Sequence, residues 1–379
     1  MGALPAGRPT WAEIDLAALR WNFGQVRKLV GRTTRILAVV KANAYGHGAV
    51  ACSRVLAAAG VDQLGVATVE EGRELREAGI RKPLVVFGLV QPQEAAEVAR
   101  LGLAPTVVSA VQVRALAQAA RRRGRRLGVH VKVDTGMGRI GIHPEETGSF
   151  VRWLLTQPGL SLAGVFTHFA NADGGDRTLL RRQIKLQCDA AQAAREAGGR
   201  GFAVHMANSA AVMETPEAHA DMVRPGLMLY GLYPAPRLRR RAALRPVLSW
   251  RTRIIQVKQV PAGTGLSYGH TFTTRRPSRI ATLPVGYADG YSRGLSNRGT
   301  VLVRGRECPV VGRVCMDMCL ADVTGLGEVQ AGEEAVLIGR QGRQTLGAER
   351  MAGTLKTISY EVVSTIGSRV PRRFQGGRV

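Results

Sequence analysis

The sequence predicts an α/β protein: an eight-stranded (β/α)8 barrel of TIM type, followed by a mainly β C-terminal domain. Three observations predict it. From about residue 35 to residue 230, short apolar runs alternate with longer amphipathic ones, as repeated strand–helix units do. Eight such runs over this length favour a closed parallel barrel over an open sheet. Beyond about residue 240 the alternation stops, and Val-, Ile- and Thr-rich runs bounded by Gly and Pro replace it, which reads as antiparallel β-structure.

The expected barrel strands are 35–40, 63–66, 84–87, 104–108, 127–133, 160–166, 202–206 and a last piece at 221–230. Helical periodicity follows the first seven, most clearly over 69–78 and 178–197. The texture changes across 234–246, so residues 1–240 are assigned to the barrel and 241–379 to the β-domain. Strands of the second part are expected at 248–260, 279–285, 300–303, 310–314, 319–323 and 334–338, with one helix-length pattern at 354–365.

Composition excludes several classes. At 379 residues the chain exceeds what one hydrophobic core normally serves. No apolar run approaches the ~18 residues of a membrane span, so no membrane partner is expected. Residues 1–9 lack the continuous apolar segment of a signal peptide. Five scattered cysteines point to free thiols in a reducing cytoplasm. Cys315 and Cys319 would share one face of a strand, but without a nearby CxxC or paired histidines no metal is expected. The net charge of +25 comes mainly from arginine, in runs such as Arg121–Arg126 and Arg237–Arg241. Aromatics make up only 5% and do not interleave with those runs, so specific nucleic-acid binding is not expected.

The chemistry begins at Lys41, which ends the first barrel strand. A solvated lysine has a pKa near ~10.4 and is a poor nucleophile at neutral pH. At the lip of an apolar strand its pKa falls and it can form a Schiff base with a carbonyl. A lysine that merely snorkels to solvent is the competing reading. Other polar residues gather where strands should end: Tyr45 after the first, 134–139 after the fifth, 167–171 after the sixth, 205–209 after the seventh and 224–226 at the eighth. Barrels of this type collect functional groups on that rim. Asn208-Ser209 opens a helix and Gly226 permits close backbone approach, which suits a phosphate; an ordinary N-cap at Asn208-Ser209 is the competing reading. Gly136-Met137-Gly138-Arg139-Ile140-Gly141 matches G-x-G-x-x-G. His143-Pro144 intervenes before the next helical run, and no acidic strand-end residue follows about 20 positions on. Arg139, whose fork suits a carboxylate, is the better clue.

With these residues in hand, the chain resembles the alanine racemase family from about residue 11 to residue 373. The resemblance rests on Val40-Lys41-Ala42-Asn43-Ala44-Tyr45-Gly46-His47-Gly48, Lys132-Val133-Asp134-Thr135-Gly136-Met137-Gly138-Arg139, His168-Phe169-Ala170-Asn171, Arg224-Pro225-Gly226, Ser267-Tyr268-Gly269, Gly286-Tyr287-Ala288-Asp289, Gly312-Arg313-Val314-Cys315-Met316-Asp317 and Tyr360-Glu361. It implies pyridoxal 5'-phosphate held by Lys41 as an aldimine, and a homodimer with shared active sites. It further implies interconversion of L- and D-alanine by two-base proton transfer, supplying D-alanine for peptidoglycan. Lys41 and Tyr268, the latter lent by the other subunit, would be the bases. Tyr45, Ser209, Gly226, Leu227 and Tyr360 would hold the phosphate. Arg224 would face the pyridine nitrogen, with His168 linked to it; a rim arginine paired with Asp221 is the plainer alternative. Arg139 and the partner-derived Met316 N–H would hold the substrate carboxylate, with Lys132 a position open to carbamylation. Tyr287 and Arg293 would line the substrate entrance.

Other readings differ in testable ways. A broad-specificity racemase for serine or basic amino acids would share the core motifs. Arg224 argues against a decarboxylase, because decarboxylation benefits from a protonated ring nitrogen. A barrel-only cofactor carrier would lack the segments around Tyr268 and Met316.

Overall fold

The computed structural model of the chain describes residues 7–377. It divides into two compact units. One contains residues 18–44 and 49–245; the other contains residues 7–17, 45–48 and 246–377. The amino-terminal strand β1 (Thr10–Asp15) therefore departs from a division at residue 240. Its Thr10, Trp11, Ala12 and Ile14 are buried, and it pairs antiparallel with Leu248–Arg253 and parallel with Arg372–Gln375.

The first of these units is the closed barrel. Its strands are β2 (Arg35–Val39), β3 (Gln63–Val66), β4 (Leu84–Leu89), β5 (Ala104–Val107), β6 (Leu127–Lys132), β7 (Leu160–Phe166), β8 (Ala203–His205) and β9 (Met222–Val223). Every neighbouring pair is parallel, and β2 closes on β9. The eight strands are those expected, with ends shifted by one or two residues except at the last. There the strand is Met222–Val223 alone: the Pro225 carbonyl still accepts from Val39 N–H at 2.9 Å, and the chain then turns into a 3-10 helix at Leu227–Tyr230. The expected helices are observed as Val69–Glu77, capped by the Thr68 hydroxyl, and Thr178–Glu196.

The C-terminal unit is mainly β. After β10 (Leu248–Arg253) come β11 (Gln256–Val260), β12 (Gly265–Leu266), β13 (Phe272–Thr273), β14 (Ser278–Leu283), β15 (Thr300–Val303), β16 (Arg306–Pro309), β17 (Cys319–Asp322), β18 (Glu334–Gln341), β19 (Gln344–Leu346) and β20 (Arg372–Gln375). A seven-stranded sheet runs β16-β15-β18-β10-β1-β20, with β19 on β18; β11-β14-β17 form a second sheet and β12-β13 a hairpin. Three expectations change here. The run 248–260 is two strands, because the chain leaves one sheet at Arg253 and joins another at Gln256. The run 310–314 is not a strand, because Gly312 turns left-handed at φ 74°. The pattern at 354–365 is two helices, Ala348–Leu355 and Ser359–Ser364, broken where Lys356 adopts φ 57°.

Candidate active site

Lys41 stands at the C-terminal end of β2. The residues after it form a left-handed turn rather than an open polar loop: Ala42, Asn43 and Ala44 have φ of 52–54° and ψ of 47–51°. Non-glycine residues lose roughly 1–2 kcal/mol each in this conformation. Hydrogen bonds offset that cost. Ala42 N–H donates to Glu71 Oε1 at 2.6 Å, Ala44 N–H to the Val40 carbonyl at 2.8 Å, and Ala49 N–H to Asn43 Oδ1 at 2.8 Å. The other oxygen of Glu71 accepts from Ala67 N–H at 2.6 Å, beyond the end of β3. Desolvation, reinforced by the charge of Arg139 and opposed by Glu71, pulls the Lys41 ammonium below its ordinary pKa. A less basic amine is the nucleophile a Schiff base requires.

A second cluster surrounds Phe166, the last residue of β7. The His205 ring stacks on it at 4.7 Å, Lys132 Nζ lies 4.6 Å from its centroid, and Arg224 Cζ lies 5.3 Å from it. Arg224 Nη1 donates to His205 Nδ1 at 3.0 Å, while Nη2 donates to the Thr167 and Met206 carbonyls at 2.6 and 3.1 Å. Asp221, the alternative partner, is instead occupied by Val204 N–H. Guanidinium is donor-only, so His205 Nδ1 must be an acceptor and its proton sits on Nε2. That N–H then points at His130 Nδ1, 2.9 Å away. The two imidazoles fit because position 164 is glycine: a Cβ there would lie 2.3 Å from His130 Nδ1.

Burial and the positive charge of Arg224 push His205 and His168 well below the ordinary histidine pKa, and bring His130 down to about 3. Burial also opposes the charge on Arg224, but its three acceptors keep the guanidinium protonated. Lys132 falls to about 7, through desolvation first and then Arg224 and Arg139. His168 and Arg224 interact electrostatically, but the imidazole that Arg224 hydrogen-bonds is His205, which corrects the expected His168 link. Sequence reasoning left His205 and His130 without roles. The available signal was a histidine within each of two mainly apolar strand runs, β6 and β8.

Two further groups lie on the barrel. Asp134 Oδ1 accepts the N–H groups of Gly136, Met137 and Gly138 at 2.9–3.1 Å, and this cradle carries the exposed Arg139. The glycine-rich stretch is thus an aspartate-nucleated turn. The buried Ser209 hydroxyl accepts from Gly226 N–H at 3.0 Å and Met228 N–H at 3.3 Å, which ties Ser209 to the segment 226–228 that contains Leu227.

The C-terminal unit holds the remaining residues. The Tyr45 and Tyr360 rings lie 6.1 Å apart, and burial together with Tyr360 pushes the Tyr45 phenol up. Tyr268, Tyr287, Arg293 and Met316 are exposed. The Cys315 and Met316 carbonyls are fixed by Tyr287 N–H at 3.1 Å and Ala288 N–H at 3.0 Å, whereas Met316 N–H has no acceptor among the described residues. Cys315 lies in a turn closed by its N–H on the Met318 carbonyl at 2.9 Å. It therefore does not share a strand face with Cys319, as had been expected. The cysteines are free, and no group of metal-ligating side chains occurs among the described residues.

The donor set fits a phosphorylated aldehyde cofactor. Lys41 supplies an amine, Ser209 with Gly226 a hydroxyl–amide pair, and Arg224 a donor that does not release its proton. A barrel so equipped belongs to the class of pyridoxal-phosphate-carrying α/β proteins. Comparison with known proteins narrows the class. Residues 14–234 match the family model "Alanine racemase, N-terminal domain", and residues 247–374 match "Alanine racemase, C-terminal domain". The chain is 49% identical to the alanine racemase of Symbiobacterium thermophilum over 98% of each chain, and 46% identical to that of Halothermothrix orenii over 97% of each. Among solved structures, it is similar to the alanine racemase of Streptomyces lavendulae (TM-score 0.94, 38% identity, 98% of each chain). It is also similar to that of Bacillus anthracis with bound L-Ala-P (TM-score 0.92, 37% identity, covering 98% of this chain and 97% of that one).

The chain belongs to the alanine racemase family. It is an isomerase acting on alanine, with pyridoxal 5'-phosphate as cofactor. The broad-specificity alternative gains no support from these relatives.

Proposed function

We propose that Lys41 and Tyr268 are the two acid–base groups of alanine racemisation, acting on opposite faces of the substrate, and that Tyr268 of the partner subunit completes each site. The observation that carries this reading is Lys41 itself: half-buried, lowered in basicity and fixed at the start of a pinned left-handed turn. When bound, pyridoxal 5'-phosphate supplies the electron-accepting ring that makes the substrate Cα–H acidic. Ser209, Gly226, Leu227, Tyr45 and Tyr360 would hold its phosphate. Arg224 would donate to its ring nitrogen without releasing a proton, which would restrain losses other than racemisation. His168 belongs to the same network. The Lys41 amine accepts or returns a proton at Cα on one face, and the Tyr268 phenol does so on the other. Arg139 and the N–H of the partner subunit's Met316 would orient the carboxylate, while Tyr287 and Arg293 would line the entrance.

In this reading Lys132, lowered to about 7, is carbamylated. Its neutral amine forms an N–C bond to carbon dioxide and releases one proton to solvent, which replaces a cation beside Arg139 with an anion. A mass increment of one carbon dioxide, lost on acidification, checks this. The exposed Tyr268 and Met316 fit a dimer face. No helix among the described residues is long and apolar enough to cross a membrane. We place the protein in the cytoplasm, supplying D-alanine to cell-wall synthesis.

The test of the two-base assignment is enantiomer-resolved exchange in deuterated water. The parent enzyme should label Cα starting from either enantiomer. Tyr268→Phe should lose labelling from one enantiomer and keep the visible absorbance of the lysine-bound cofactor. Racemisation at the parental rate by Tyr268→Phe would refute the assignment.

A further inference from the structure

We infer that Ser267 is a positioning residue that holds the Tyr268 phenol in register with the Met316 loop. The inference rests on the reading of Tyr268 as an acid–base group. Ser267 adopts φ 59°, ψ −171°, at the edge of a region that essentially only glycine enters. Such a conformation persists only where the surroundings over-determine it. Here they do. Ser267 Oγ donates to the Arg313 carbonyl at 2.7 Å and lies 3.5 Å from Cys315 Sγ. The Ser267 carbonyl accepts from His270 N–H at 3.2 Å, which closes the turn that carries Tyr268.

The same hydroxyl thus ties the Tyr268 turn to the segment 313–316, whose far end is fixed by Tyr287 N–H and Ala288 N–H on the Cys315 and Met316 carbonyls. Gly312 makes the approach possible, since a Cβ there would lie 2.7 Å from Ser267 Cβ and 2.9 Å from the Leu266 carbonyl oxygen. A non-glycine residue in glycine's territory, clamped by its own side chain, has a geometric reason to be serine. Its hydroxyl sets the direction in which residue 268 leaves the backbone. An exposed phenol has no packing of its own to set that direction.

The test uses the holoenzyme with Ser267→Ala, Ser267→Gly and Tyr268→Phe, reading Cα exchange separately from each alanine enantiomer. Tyr268→Phe identifies the enantiomer whose exchange depends on the phenol. Ser267→Ala, which keeps the strained backbone but loses the clamp, should slow exchange of that enantiomer by about ten- to a hundredfold and leave the other within about twofold. Ser267→Gly accepts the backbone conformation and should fall between Ala and the parent. Parental exchange in Ser267→Ala, or equal losses from both enantiomers, would overturn the inference. If Tyr268→Phe itself shows no enantiomer-selective loss, the acid–base reading of Tyr268 fails, and the inference with it.

Discussion

His205 and Arg224 in the barrel are 0% and 5% exposed, whereas Tyr268 and Met316 in the C-terminal unit are 73% and 52% exposed. The first pair is positioned by burial. Stacking on Phe166, the space left by Gly164 and three hydrogen bonds from one guanidinium fix the orientation and tautomer of His205. The second pair is positioned by backbone, through a strained turn at Ser267 and two pinned carbonyls beside Met316. Buried clusters tune basicity, because desolvation and like charge act strongly there. Exposed groups depend instead on the backbone that carries them. Substitutions in the two regions should therefore fail in different ways.

Lys41→Ala should produce the largest effect. Without the amine the protein retains no lysine-bound cofactor absorbance, and turnover in both directions falls by several orders of magnitude, about 10³-fold or more. Thermal unfolding should change little, because Lys41 is only half-buried and the turn is held by backbone groups and Glu71. Gly164→Ala comes next and reverses the pattern. A methyl group driven against His130 and His205 should cost about 1–3 kcal/mol, read as a lower unfolding midpoint. Activity should fall as well, because Arg224 loses an ordered partner. Tyr268→Phe, by contrast, should leave stability within about 0.5 kcal/mol. If Gly164→Ala proves as stable as the parent, the barrel cluster is looser than its contacts imply.

Much of this was legible in the sequence. Strand periodicity placed the eight barrel strands, because parallel strands buried on both faces are continuous apolar runs. Lys41, Arg139, Ser209 and Arg224 were visible as polar residues ending such runs. The rest depended on tertiary events. The β1 strand pairs with strands more than 230 residues away, and no local pattern encodes such a partner. The left-handed turn at Ala42–Ala44 contains no glycine to announce it; it exists because Glu71, from the helix after β3, accepts the Ala42 N–H. His205 and His130 look like ordinary strand residues until Gly164 is seen to make room for both. Gly164 itself reads as a neutral member of β7.

The last prediction separates the two regions most cleanly, because it is a slope rather than a loss. His130 falls to about 3 in the folded chain against about 6.5 when unfolded. Between those values the unfolded chain binds the extra proton, so the neutral, bonded imidazole contributes stability that is present above about pH 6.5 and lost as pH falls toward 3. His205 acts in the same direction. Each such group adds about 1.4 kcal/mol per pH unit to the acid-side slope. His130→Gln keeps an acceptor for His205 but cannot titrate, so denaturant unfolding between pH 6 and 4 should lose about one group's share of the slope. Without the carbamate, Lys132 works in a higher window: lowered to about 7, the free amine makes stability decline as pH falls from about 10.4 toward 7. Tyr268→Phe should leave the acid slope unchanged. If His130→Gln also leaves it unchanged, the buried imidazole pair is already protonated in the native state, and the donor–acceptor chain running from Arg224 through His205 cannot be as drawn.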